Sequence, residues 1–160
     1  MAWDYNIQTM VSNERKLVIQ FRAKSDSSAA ALSATTIITP SNFTSTSTGK
    51  TCSYISIDRV WASNGGGSIT ELLWNADTTD YLIMAYGNTG STSSAYFHDF
   101  TIGDWGGLRP PGLGNTTISS NTGGDDAGGG TVDGIIQIAL RGASSSDSVT
   151  VVIEGTKHYG

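Results

Sequence analysis

Apolar side chains recur at every second position along most of this 160-residue chain, and helical spacing is almost absent. The first segment is the clearest case, with Trp3, Tyr5, Ile7, Thr9 and Val11 alternating with polar Asp4, Asn6 and Gln8. Such period-two alternation is typical of a half-buried β-strand. A second alternating segment follows at 17–21, after a short polar turn, so the sequence predicts an N-terminal hairpin or edge pair.

The same pattern predicts about nine strands, near 3–11, 17–21, 35–39, 51–62, 68–75, 81–86, 94–102, 132–141 and 148–154. Residues 25–34, SDSSAAALSA, could begin a short helix after a Ser or Asp cap, but a loop is favoured. Many short strands between Gly, Asn, Asp and Ser turns are typical of a β-sandwich or closed barrel. The predicted fold class is therefore all-β: one β-sandwich domain over 1–160, antiparallel, with a jelly roll as the leading topology.

Three consecutive glycines at 65–67 raise the question of a phosphate-binding loop. A P-loop needs a lysine and a Ser or Thr after its last glycine, opening a helix, whereas here Ser68 is followed by strand-like residues. Asn64-Gly65 is a strong signal for a tight β-hairpin, because both residue types tolerate positive φ. The sequence therefore favours a hairpin joining the strands near 51–62 and 68–75.

Composition excludes several classes of function. Charged residues are 14% of the chain and the net charge is -5, which argues against nucleic-acid binding because phosphate contacts need clustered Lys and Arg. No apolar run approaches the length that spans a bilayer, and the first sixteen residues lack the pattern of an export signal. The single cysteine, Cys52, is predicted to be a buried thiol.

The chain offers few residues in catalytic or metal-binding patterns. His98 and His158 lie far apart and not in a helical zinc-binding motif, and alternation places His98 and Asp99 on opposite strand faces. No G-x-S-x-G motif is present, and the acids in GGDDAGGG, 123–130, lack the spacing of a calcium loop. The sequence predicts a non-enzyme with no catalytic residues, no metal ligands and no cofactor.

Two segments carry a family resemblance. The first segment lies within 55–86 and contains IDRVWASNGGGSITELLWNA; the second is 134–157, GIIQIALRGASSSDSVTVVIEGTK. Both resemble small virion structural proteins of tailed phages, especially phages of marine bacteria. Residues 134–157 resemble the C-terminal hairpin that closes the fold of those proteins. The resemblance implies a β-sandwich that decorates or cements a phage head, or sits elsewhere on the particle, without catalysis. The leading function is a capsid decoration or cement protein of the virion that binds the major capsid protein as a homotrimer. The long Gly-rich loop at about 103–131 departs from that compact pattern and leaves the position on the particle open.

Large aromatic, Arg and Pro residues provide candidates for the interface. A terminal aromatic strand needs to dock on something, and the long loop begins with residues typical of interface anchors; the candidates are Trp3, Tyr5, Ile7, Trp105, Arg109, Pro110 and Pro111. The alternative function is a carbohydrate- or receptor-binding sandwich of a tail or fibre, stacking sugars on some of Trp3, Tyr5, Trp61, Trp74, Tyr86, Tyr96 and Trp105.

Overall fold

A computed structural model describes residues 3–26, 30–77, 79–87, 93–102, 106–111, 132–143 and 146–160. Within these ranges the chain forms one short 3₁₀ helix, Pro40–Asn42, and nine strands: β1 Trp3–Ser12, β2 Lys16–Ser25, β3 Ala30–Ile38, β4 Cys52–Gly65, β5 Ile69–Ala76, β6 Tyr81–Gly87, β7 Ser94–Asp99, β8 Val132–Ala143 and β9 Ser148–Tyr159. All nine predicted strands are confirmed, several of them longer than the alternation alone indicated.

The strands form two antiparallel sheets that pack as a sandwich. One has the order β1-β2-β9-β4-β7, and the other has the order β3-β8-β5-β6. Strands at equal distances in chain order from the β5–β6 connection pair with each other: β5 with β6, β4 with β7, β3 with β8 and β2 with β9. Successive pairs in this series belong alternately to the two sheets. This is one long hairpin rolled into two layers, so the predicted jelly roll is confirmed.

The core is built from the inward-facing residues of both sheets. The largest fully buried side chains are Trp3, Leu17, Phe21, Ile55, Ile57, Val60, Val132, Ile136, Ile138, Leu140, Val149 and Ile153. Cys52 is a free, buried thiol, as predicted, and burial raises the pKa of that thiol.

The glycine turn at 65–67 is not the predicted hairpin. β4 and β5 belong to different sheets, so the glycines carry the chain across the sandwich. Asn64 is buried, and its side-chain amide donates to the Ser68 carbonyl at 2.7 Å. The Thr70 hydroxyl donates to Oδ1 of Asn64 at 3.2 Å. Of the three glycines only Gly66 has a positive φ, 109°. The Asn-Gly pair therefore closes an inter-sheet crossing instead of a two-residue hairpin loop.

Two further expectations are wrong for related reasons. β8 and β9, the segment that resembled a closing hairpin, also lie in different sheets, joined by a second crossing. Within the range 25–34, for which the sequence predicts a loop or short helix, Ser25 ends β2 and residues 30–34 belong to β3. Pairing of β3 with β8 supplies the hydrogen bonds that extend this Ala- and Ser-rich segment.

Candidate interaction surfaces

A row of alternating charges crosses the outer face of the five-stranded sheet, with one residue from each of four neighbouring strands. Lys16 of β2 contacts Glu154 of β9 at 2.6 Å, Glu154 contacts Arg59 of β4 at 3.0 Å, and Arg59 contacts Asp99 of β7 at 3.2 Å. Hydrogen bonds from Lys16 lower the pKa of Glu154, and a bond from the Thr101 hydroxyl lowers that of Asp99. The charges in this ladder neutralise one another within the chain.

An aromatic patch lies beside the charge ladder on the same outer face. Trp61 is 40% exposed and Phe97 is 54% exposed, and their ring centroids lie 5.4 Å apart across the β4–β7 pair. Val152 of β9 continues the row on the other side of Trp61. A shallow hollow of about 370 Å³ opens over these three side chains. The patch is apolar, ringed by short polar residues, and open to solvent.

A β-bulge in β4 accounts for the outward position of Trp61. Upstream of the bulge Ile55 and Ile57 face the core, and downstream of it Val60 and Ala62 do so. The pairing with β9 shifts register between Ile57 and Arg59, and the extra residue reverses which positions point inward. Trp61 would face the core if the odd-numbered phase continued.

The N-terminal strand β1 is an edge strand that exposes apolar side chains. Trp3, a predicted interface residue, is 1% exposed and belongs to the core of its own chain, whereas Ile7 is half-buried. Tyr5 is 39% exposed, Met10 53% and Val11 44%. Within the described ranges β1 pairs only with β2, so its other edge presents unpaired backbone groups.

Part of the long loop docks on β4 as an isolated β-bridge. Leu108 donates to the Ile57 carbonyl at 2.8 Å and accepts from the Ile57 amide at 2.9 Å, continuing the line of β7. Arg109 is exposed, Pro110 is buried and Pro111 is half-buried. The remaining interface candidate, Trp105, lies outside the described residues, as does most of the 103–131 loop.

A polar pocket of about 650 Å³ opens at the end of the sandwich where β4 begins and β9 ends. Its wall contains Tyr54 and His158, whose rings stack at 4.4 Å with an interplanar angle of 10°. His158 Nε2 lies 2.9 Å from the hydroxyl oxygen of Ser56. Burial, followed by the charge of Arg109, lowers the pKa of His158. We call this cavity the His158 pocket.

A single carboxylate organises the Ser/Thr-rich loop beside the His158 pocket. Glu14 accepts hydrogen bonds from the hydroxyls of Ser45, Thr46 and Ser47 and from the Thr46 amide. These bonds, that of Ser45 first, lower the Glu14 pKa to about 2. Because the ionised form holds four donors, the loop depends on the charge of Glu14.

Acid should therefore weaken the fold through Glu14. A carboxyl whose pKa is depressed in the folded state stabilises that state above its unfolded pKa, and the contribution disappears as pH falls through the folded value. For Glu14 this window runs from the ordinary value of 4.5 down to about 2. We expect the melting temperature of the wild type to fall more steeply across this window than that of Glu14→Gln. Equal slopes in calorimetry at stepped pH would contradict the assignment.

The two histidines, which the sequence does not assign to a catalytic or metal site, lie in different surroundings. His98 is exposed and packs against Phe100, on the face opposite Asp99, as alternation indicated. Sequence reasoning missed the contact between Ser56 and His158, which are 102 positions apart. Ser56 is fully buried, so its hydroxyl does not face a space where a substrate could sit. No group of three or more His, Cys, Asp or Glu suited to a metal occurs in the described part of the chain.

Within those same ranges no helix is long and apolar enough to cross a membrane. No protein-family model matches the chain, and no curated protein sequence matches it either.

Proposed function

We propose that this protein is a phage virion structural protein, a capsid decoration or cement protein that binds the lattice of the major capsid protein as a homotrimer and stabilises the head. The observation that carries the proposal is the confinement of the large exposed apolar side chains to one of the two sheets. In the described ranges the large ones lie in the five-stranded sheet or directly after β7: Tyr5, Met10, Val11, Trp61, Phe97 and Ile102. Of these, Trp61 and Phe97 are adjacent and form an exposed apolar patch, and such patches mark interaction sites.

The charge ladder supports docking through the same sheet. A surface that buries an unpaired charge on binding suffers a large desolvation cost. Here Lys16, Glu154, Arg59 and Asp99 already pair with one another, so a partner can cover the sheet without supplying counter-charges. Burial of area at junctions between capsomers would then help the head resist internal pressure. The action is binding without turnover.

Particle analysis tests the proposal directly. Particles of a phage whose genome encodes this protein are purified and separated into heads and tails. Mass spectrometry then counts the copies of the protein in each fraction. We expect many copies in heads, and added protein should raise the temperature at which heads lacking it release DNA. Phe97→Ser should abolish the effect, whereas Thr36→Lys on exposed β3 of the other sheet should not. Absence from heads would refute the proposal.

One observation favours the second candidate, a carbohydrate-binding module of a tail or fibre. Trp61 is exposed on the outer sheet face beside Phe97, an arrangement suited to stacking against a sugar ring. Trp3 and Trp74, two of the aromatic residues that the sequence suggested for stacking sugars, are buried in the core and cannot contact a glycan.

For this candidate we expect Trp61→Ala to reduce the affinity for a host surface polysaccharide by about tenfold or more, because stacking energy and buried area are lost together. Affinity electrophoresis in polysaccharide gels measures the change. Tyr5→Ala, which removes an exposed aromatic on β1 outside the patch, is the matched control. Unretarded migration of the wild type in all gels would exclude this candidate.

A further inference from the structure

Basic residues gather at one end of an otherwise acidic molecule. The chain carries nine Lys and Arg against fourteen Asp and Glu. Arg15, Lys50 and Lys157 line the His158 pocket, and Arg109 lies near enough to lower the pKa of His158 by its charge, as Arg15 also does. Three of the nine basic residues therefore line one cavity, and Arg109 lies near it.

Glu14, the acidic side chain that lines this pocket, is already engaged in hydrogen bonds within the chain. The carboxylate of Glu14 accepts four hydrogen bonds from the loop 45–47, so it has little capacity left for a cation. Lys157 is also used internally, because it is buried and its Nζ donates to Ser12 Oγ at 2.8 Å and to the Asn13 carbonyl at 2.6 Å. Its charge nevertheless adds to the field in the cavity.

The other three cations have no acidic partner among the residues that the structure describes. Arg15, Lys50 and Arg109 are exposed, and none lies within salt-bridge distance of a carboxylate in the part of the chain that the structure describes. Lys16, Arg59 and Arg141 each have such a partner. The pocket thus combines unpaired cations with a fixed wall, since the hydrogen bond to Ser56 and the stack on Tyr54 hold the His158 ring in place.

We infer that the His158 pocket binds the carboxylate side chains of an acidic segment of a partner protein, with Arg15 and Lys50, which line it, as the contacting cations and Arg109 as a further positive charge nearby. The size of the cavity, about 650 Å³, suits a short peptide segment better than a lone ion. A cationic pocket on a molecule of net charge -5 would also orient it toward an acidic surface before contact. This inference rests on the proposed function, since the partner would be the capsid lattice.

A peptide titration tests the inference without phage particles. Isothermal calorimetry at low salt compares an acetylated hexaglutamate peptide with its hexaglutamine counterpart. We expect only the glutamate peptide to bind, to lose affinity as salt rises, and to bind the triple variant Arg15→Gln, Lys50→Gln, Arg109→Gln about tenfold more weakly or worse. Circular dichroism confirms that each variant remains folded.

The matched control is Arg22→Gln with Lys24→Gln, because these exposed residues lie on β2 near the opposite end of the sandwich. Equal weakening by the control would show non-specific charge attraction and overturn the inference, as would a wild type that binds both peptides alike. Tighter binding of inorganic phosphate than of the peptide would overturn the assignment to carboxylates. The peptide titration and the mass-spectrometric count in heads and tails are independent measurements. The inference about the pocket can therefore fail while the proposed virion function stands, and the reverse is also true.

Discussion

Replacing Gly66 with alanine should destabilise the fold by about 2–5 kcal/mol, from backbone strain and steric overlap together. Gly66 has φ of 109°, a conformation that side chains other than glycine rarely adopt. An added Cβ would also lie 1.9 Å from Oδ1 of Asp147, which is itself buried. Asp147 belongs to the second crossing between the sheets, so its buried carboxyl group would have to move to admit the added methyl group.

Gly49→Ala is the matched control for this prediction. Gly49 has φ of 70° with no heavy atom within 4 Å of an added Cβ, so alanine there should cost about 1–2 kcal/mol from strain alone. Urea unfolding of the two variants separates strain from overlap. Equal losses would show that Asp147 moves freely aside. Neither substitution should change nucleotide affinity; a glycine-dependent nucleotide site would contradict the structural interpretation of this turn.

The second large effect concerns self-association through β1. We expect the wild type to be a homotrimer, with a scattering mass three times the 16.7 kDa of the monomer. Met10→Lys combined with Val11→Lys should yield monomers, because these exposed apolar residues lie on an unblocked edge strand and charge there disfavours docking. Light scattering at micromolar concentration measures the mass.

Matched substitutions on the edge strand of the other sheet, Ser33→Lys with Ala34→Lys, should leave the trimer intact, since both positions are already exposed. A monomeric wild type would refute the prediction. Trp3→Ala is unsuitable as a probe of this interface. Trp3 is buried within its own chain, so its truncation would cost about 3–5 kcal/mol of folding free energy regardless of assembly.

Alternation along the sequence identified the strands but not their neighbours. A period of two reveals that one face of a segment is buried, and it does so equally for a hairpin and for a crossing between sheets. This is why the sequence predicts a hairpin at 64–67, although β4 pairs with β9 and β5 with β8. Residues 30–34 were missed for the opposite reason, because their Ala and Ser side chains carry little pattern and the pairing with β8 determines their conformation.

The candidate surfaces were only partly accessible to sequence reasoning. The change of phase between Ile57 and Val60 is visible in the sequence, and read as a bulge it would have placed Trp61 outside. The His158 pocket had no such signal. Tyr54 and His158 are cross-strand partners separated by about two thirds of the chain, and only the topology brings them together.

The position of β9 has a consequence for biosynthesis. This strand, the last in chain order, lies between β2 and β4 and supplies hydrogen bonds to both. Until the ribosome has released it, the larger sheet has an open gap and a segment as early as β2 has no partner on that side. Folding must therefore wait for synthesis of β9, and contacts between such distant segments form slowly. A nascent chain interrupted before β9 cannot complete the sandwich, because the larger sheet would lack its central strand.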